Sequence, residues 1–331
     1  MKIAVIGGGA WGTALAATLQ RAGAEPLIWA REPEVVASIN ERHENSAFLP
    51  GVTLDPGIAA TGALELAAAA EIAMLVVPAQ HLRSVAAALA PHFPAGRPVV
   101  IATKGIECGT GATMGEIVAE MLPGRPWAVL SGPTFAIEVA RGLPTAVTLA
   151  AADPELGADL VRLIGTASFR PYLGADPVGC EIGGAVKNVL AIACGIVTGR
   201  GLGDNARAAL ITRGLAEMVR LAVAKGGEPA TLMGLSGLGD LVLTCTAMQS
   251  RNCSLGAALG SGHSLDAVLA GRSSVAEGVA TAAAVAELAR RLGIDMPIVA
   301  AVDAILHHGA AIDSEIRLLL ARPFKLEGLP G

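Results

Sequence analysis

Short β-branched runs alternate with longer Ala- and Leu-rich stretches through the first half of the chain. The runs at 3–6, 26–29, 72–77, 98–103, 128–130 and 146–149 predict strands, and between them 13–21, 81–89 and 114–121 place apolar residues at helical spacing. Strands that alternate with helices predict a parallel, doubly wound sheet, because parallel neighbours need a crossover that a helix supplies. Around Asp176 the texture changes. From there the patterns at 178–196, 205–225, 273–292 and 297–308 are helical, with Gly-rich corners between them. The chain therefore divides into an α/β domain over 1–175 and an all-helical domain over 176–331.

Composition narrows the class. Hydrophobic residues make up 53% and charged residues 16%, enough apolar surface to exclude a disordered chain. The net charge of -5 argues against a basic surface for nucleic acid. Much of the apolar content is Ala, and no charge-free run reaches the roughly 18 apolar residues of a membrane span. The richest stretch, 66–77, is interrupted by Glu71. Met1–Ile6 runs straight into a glycine turn and leaves no room for a signal peptide, so a cytoplasmic protein is expected. Cys108, Cys180, Cys194, Cys245 and Cys253 are odd in number and form no CxxC pair or Cys/His cluster; reduced thiols and no metal site are expected.

Gly7-Gly8-Gly9-Ala10-Trp11-Gly12 fits G-x-G-x-x-G directly after a strand and directly before a helix pattern. In that context Gly7 permits the tight turn, Gly9 lets a pyrophosphate approach the backbone, and Gly12 lets helix and strand pack closely. The first domain is thus Rossmann-type. Its second strand ends Trp29-Ala30-Arg31-Glu32, where Arg31 suits a 2′-phosphate and Glu32 a free ribose hydroxyl, so the choice between NADP and NAD stays open. Lys104, after the strand at 98–103, stands at a carboxyl end of the sheet, where such folds bind ligands. Ser131-Gly132-Pro133-Thr134-Phe135 joins a strand to a helix, with Pro133 suited to the first helical position.

In the helical half, Lys187 is surrounded by apolar residues on nearly every face of its helix. Desolvation lowers the pKa of a lysine and suits it to proton transfer; a lysine snorkelling at a helix edge is the alternative. Asp240, in Ser236-Gly237-Leu238-Gly239-Asp240, either caps the following helix or orients a buried lysine or a substrate hydroxyl. Ser250-Arg251-Asn252 opens a helical segment with a hydroxyl, a guanidinium, an amide and fresh backbone N–H groups, a set that fits an anion clamp. Glu277 lies in the first turn of another helix, where an acidic side chain complements the macrodipole.

These segments, together with Leu49-Pro50-Gly51, Thr103-Lys104-Gly105, Val186-Lys187-Asn188 and Val275-Ala276-Glu277-Gly278, resemble in order and spacing the bacterial type of NAD(P)-dependent glycerol-3-phosphate dehydrogenase. The resemblance covers nearly the whole chain. It implies hydride transfer between NAD(P)H and dihydroxyacetone phosphate to give sn-glycerol 3-phosphate, supplying phospholipid synthesis. It also implies Lys187 as the acid/base, with Lys104, Gly132, Thr134, Asp240, Ser250, Arg251 and Asn252 lining the substrate site. For the cofactor, NADP or NAD, it implies Ala10, Trp11, Arg31, Lys104, Ala136, Arg251, Val275 and Glu277 beside the glycines. Ala10 departs from the Ser that relatives often carry, with little expected loss because the backbone makes most pyrophosphate contacts. Small-molecule substrates are the expected partners, with no nucleic acid and no membrane span, and a homodimer is compatible with the sequence. Two other readings share these residues: a β-hydroxyacid dehydrogenase whose Arg251 and Asn252 hold a carboxylate, and a nicotinamide-sensing protein in which Lys187 and Asp240 are structural.

Overall fold

The computed structural model describes residues 1–270 and 276–323. Ten strands form among them: β1 (Lys2–Ile6), β2 (Glu25–Trp29), β3 (Glu44–Asn45), β4 (Leu49–Thr53), β5 (Ala59–Thr61), β6 (Ile72–Leu75), β7 (Val99–Ile101), β8 (Trp127–Ser131), β9 (Thr145–Ala151) and β10 (Phe169–Gly174). Eight build one sheet in the order β10-β9-β8-β7-β6-β1-β2-β5, and β3 pairs with β4 as a separate antiparallel hairpin. From β5 to β8 every neighbouring pair is parallel. The winding reverses at β1, which lies between β2 and β6, and in open α/β sheets that switch point is where ligands bind.

The expected parallel, doubly wound sheet forms with one departure at β9, which runs antiparallel to β8, with Ala128 opposite Ala151. The connection between them holds only the five-residue helix Ala136–Ala140, too short to carry the chain back across the sheet, so it turns and returns alongside. β10 then pairs parallel to β9. The central strands β6 and β7 are buried throughout, as expected where helices cover both faces. Ile3 and Val5 point into one core and Ala4 and Ile6 into the other, the period of two that a strand imposes.

The chain forms two compact units, Met1–Gly105 with Ala112–Glu181, and Ile106–Gly111 with 182–331. The division falls within helix Pro177–Gly199, and Ile106–Gly111 belongs to the second unit, where Arg291 donates to Thr110 O at 2.8 Å. The second unit is helical among its described residues, with Gly203–Ala224, Asp240–Thr246, Arg251–Gly260, Glu277–Leu292 and Pro297–His307 as its main elements. Of the helix expected over 273–292, residues 273–275 lie outside the described residues.

Among the described residues, the single helix both long and strongly apolar is Pro177–Gly199, and not the stretch at 66–77. By length and composition it passes for a membrane span, yet its most apolar window is wholly buried within the protein. It meets helix Arg251–Gly260 backbone to backbone. A Cβ on Gly195 would stand 2.1 Å from Cys253 O, and one on Gly256 would stand 2.0 Å from Ile192 O, so neither position has room for a side chain.

Candidate active site

Residues of the first unit gather along the carboxyl edge of its parallel strands. The glycine turn follows β1, Arg31 follows β2, Lys104 follows β7, and Gly132 to Ala136 follow β8. Gly12 is fixed by packing, since a Cβ there would stand 1.9 Å from Gly7 O. Gly9 is different: no atom lies within 4 Å of where its Cβ would be, so the space above the turn is open. Gly9 caps helix Ala10–Arg21, and among the described residues no side chain caps it.

Lys104, Gly132 and Thr134 are brought together. Lys104 Nζ and Thr134 Oγ1 both donate to Gly132 O, each at 3.2 Å. Gly132 has φ +151°, and a Cβ there would press on Val147 Cα at 2.9 Å, so only glycine fits this turn. The helix expected to begin at Pro133 begins instead at Ala136, with Phe135 as its extended cap residue. Pro133 and Thr134 stay outside the helix, and Ala136 becomes its first residue. The Arg31 side chain is 78% exposed and lies 3.4 Å from Glu32 Oε1, so the two groups between which the cofactor choice stood are paired with each other.

In the second unit Lys187 is 7% exposed and Asp240 is fully buried. Lys187 Nζ donates to Asp240 Oδ1 at 2.6 Å and to Thr244 Oγ1 at 3.0 Å. Thr244 in turn donates to Asp240 O at 2.6 Å, so one hydroxyl ties the lysine to the helix that carries the carboxylate. The structure thus decides between the two roles open to Asp240: it is the partner of the buried lysine, and Gly239 occupies the cap position of helix Asp240–Thr246. Thr244 was not anticipated, although its place one helical turn after Asp240 puts it on the same face.

Ser250 caps helix Arg251–Gly260, its Oγ accepting from the Cys253 N–H at 3.2 Å. Arg251 is exposed in the first turn. Asn252 points into the protein, donating to Asn188 Oδ1 at 3.0 Å and accepting from the Gly278 N–H at 3.1 Å, next to Glu277. Val275 lies outside the described residues. The five cysteines are free thiols, and among the described residues no cluster of His, Cys, Asp or Glu has the geometry of a metal site.

Two family profiles match the chain: NAD-dependent glycerol-3-phosphate dehydrogenase N-terminus over residues 2–157 and NAD-dependent glycerol-3-phosphate dehydrogenase C-terminus over residues 176–317. A glycerol-3-phosphate dehydrogenase [NAD(P)+] from Rhodospirillum rubrum is 60% identical over 98% of this chain and 94% of its own. The chain belongs to the NAD-dependent glycerol-3-phosphate dehydrogenase family. The Caulobacter vibrioides enzyme of the same name is 57% identical over 98% of both chains. The crystal structure of glycerol-3-phosphate dehydrogenase from Coxiella burnetii superposes with a TM-score of 0.94 at 40% identity, covering 97% of this chain and 99% of that one.

The residues present fit the dinucleotide of this family. Gly9 leaves open space, the first turn of the following helix has no side-chain cap, and the Trp11 indole Nε1 is buried with no hydrogen-bond partner among the described residues. An unpartnered buried donor beside a glycine turn is a group that a bound ligand satisfies.

Proposed function

We propose that the chain interconverts dihydroxyacetone phosphate and sn-glycerol 3-phosphate with NADPH or NADH, and that Lys187 is its general acid/base. The observation that carries this assignment is the buried Lys187–Asp240–Thr244 cluster in a chain of the glycerol-3-phosphate dehydrogenase family. Gly7, Gly9, Ala10, Trp11 and Gly12 would hold the dinucleotide at the turn after β1, with Arg31, Lys104, Ala136, Arg251, Val275 and Glu277 as further cofactor contacts. Bound there, the reduced nicotinamide supplies the hydride for the carbonyl carbon.

The chain's own task is the proton. As the carbonyl carbon is reduced, negative charge develops on its oxygen, and Lys187 Nζ delivers a proton to it; in the reverse direction the same amine takes the hydroxyl proton. Asp240 and Thr244 fix the direction of the ammonium group. Arg251 and the first-turn N–H groups of helix Arg251–Gly260 form the phosphate clamp, a role that a guanidinium fills by bidentate bonding. Lys104, Gly132, Thr134, Ser250 and Asn252 complete the substrate contacts. The product supplies glycerophospholipid synthesis in the cytoplasm, and the working assembly is a homodimer.

A substrate panel tests the assignment. Loss of nicotinamide absorbance is expected with dihydroxyacetone phosphate and not with a 2-keto or 3-keto carboxylate of similar size. Arg251→Lys should raise KM for dihydroxyacetone phosphate by about tenfold or more, because an ammonium cannot reproduce two parallel bonds. Turnover of the carboxylates alone would favour the β-hydroxyacid reading, and binding of cofactor with no turnover of any substrate would favour a sensor.

A further inference from the structure

Behind the glycine turn sits a residue that no motif singled out. Asn45 is fully buried at the end of β3, opposite Leu49 in the hairpin that carries Leu49-Pro50-Gly51. Both of its amide hydrogens and its oxygen are engaged. Nδ2 donates to Gly8 O at 2.7 Å and to Thr13 Oγ1 at 2.8 Å, and Oδ1 accepts from the Phe48 N–H at 3.1 Å. Thr13 extends the chain of bonds, its Oγ1 donating to Gly9 O at 2.9 Å. Gly8 O is therefore held by this side-chain network, and Gly9 O by it together with the Thr13 N–H, which donates to Gly9 O at 3.0 Å as the first bond of the helix.

Peptide geometry gives this a consequence. In a trans peptide the C=O of one residue and the N–H of the next point in opposite directions. Holding Gly8 O toward Asn45 turns the Gly9 N–H away from the hairpin, and holding Gly9 O toward Thr13 does the same for the Ala10 N–H. Three glycines in a row are the segment of this unit with the greatest backbone freedom, and a peptide flip there would turn a donor into an acceptor. Neither carbonyl can swing out without leaving a buried amide or hydroxyl without its partner.

We infer that Asn45 is a positioning residue for the dinucleotide: acting through Gly8, Thr13 and Gly9, it sets the orientation of the backbone donors that meet the pyrophosphate before the ligand arrives. This rests on the dinucleotide binding proposed above. Preorganisation of this kind raises affinity for every ligand that uses the turn, NADPH and NADH alike, and leaves the substrate's own contacts untouched.

Asn45→Asp keeps the size and the acceptor for Phe48 but removes both donors, and Thr13→Val removes the hydroxyl that links Asn45 to Gly9. The test is fluorescence titration of each purified protein with NADPH and with NADH, together with amide hydrogen exchange across residues 7–12 of the ligand-free chains. Asn45→Asp should weaken both dinucleotides by about tenfold and Thr13→Val by a few-fold. Exchange in the turn should be faster in both, while KM for dihydroxyacetone phosphate and kcat at saturating cofactor stay within about twofold of the wild type. A folded Asn45→Asp protein with wild-type dissociation constants overturns the inference, and so does a rise in the KM of dihydroxyacetone phosphate equal to that of the cofactor. If Asn45→Asp does not fold, Thr13→Val decides, and wild-type binding there overturns it. Failure of the wild-type chain to bind either dinucleotide would overturn the proposed function as well.

Discussion

Lys187 and Asp240 meet at 2.6 Å with almost no access to water, and this makes each depend on the other. Removing one member of a buried pair leaves a charge with neither solvent nor counter-charge, at about 3–5 kcal/mol. Asp240→Asn should therefore lower the unfolding free energy by roughly that amount, read from urea midpoints at constant m-value, and an unchanged midpoint would mean that Lys187 is not held by this carboxylate. Arg31 presents the opposite situation. Its guanidinium is exposed and its ion pair with Glu32 is a surface pair of small worth, so a 2′-phosphate can displace Glu32 at little loss. Arg31→Ala should raise KM for NADPH by about tenfold and leave NADH within about twofold; equal effects on both would remove Arg31 from the ribose site.

At the scale of elements, helix Pro297–His307 is capped from a distance. Glu217, in helix Gly203–Ala224, accepts from the backbone N–H groups of Ile298 at 2.8 Å and Val299 at 3.2 Å. Burial pushes its carboxyl up from the ordinary 4.5 to about 7, against the opposing pull of those two N–H groups and of Arg220. Between these values the folded chain keeps a proton that the unfolded chain has lost, so the contribution of Glu217 is fully present below about pH 4.5 and is lost as pH rises through about 7. The difference is on the order of 3 kcal/mol. Unfolding free energy plotted against pH should fall more steeply across that window in the wild type than in Glu217→Gln, and parallel curves would show that Glu217 is ionised in the fold.

The same scale shows what could be read in advance. The helix expected at 114–121 forms as Met114–Met121, because its apolar spacing is reinforced by a capping box in which Thr113 and Glu116 each bond the other's backbone N–H. β5 escaped notice because Ala59-Ala60-Thr61 lacks the β-branched signature, and β10 because Pro171 interrupts it; both are edge strands, where such residues are tolerated. Lys187 was legible from the apolar residues around it, since a charge in that setting needs a reason. Thr244 and Asn45 were not, because their roles depend on which segments meet in space: Thr244 lies 57 residues from Lys187 and Asn45 lies 37 from Gly8.

Across the whole molecule, in the proposed function, the two units carry different parts of the reaction. The first supplies the open turn, with donors ordered by its own side chains, and the second supplies a lysine held by a carboxylate and a hydroxyl. The apolar helix that bears Lys187 is spent on internal packing, its most apolar stretch wholly buried and pressed against a neighbour through Gly195 and Gly256, so the amine is fixed by a rigid element. The most direct test of this account is the single-turnover rate of NADPH oxidation by dihydroxyacetone phosphate in Lys187→Ala, measured beside the dissociation constant for NADPH. The rate should fall by about 10²–10⁴-fold, the usual worth of general acid catalysis, with the dissociation constant unchanged because the glycine turn belongs to the first unit. A near-normal rate with an unchanged pH profile would contradict the account, making Lys187 a structural lysine and moving the acid to Lys104.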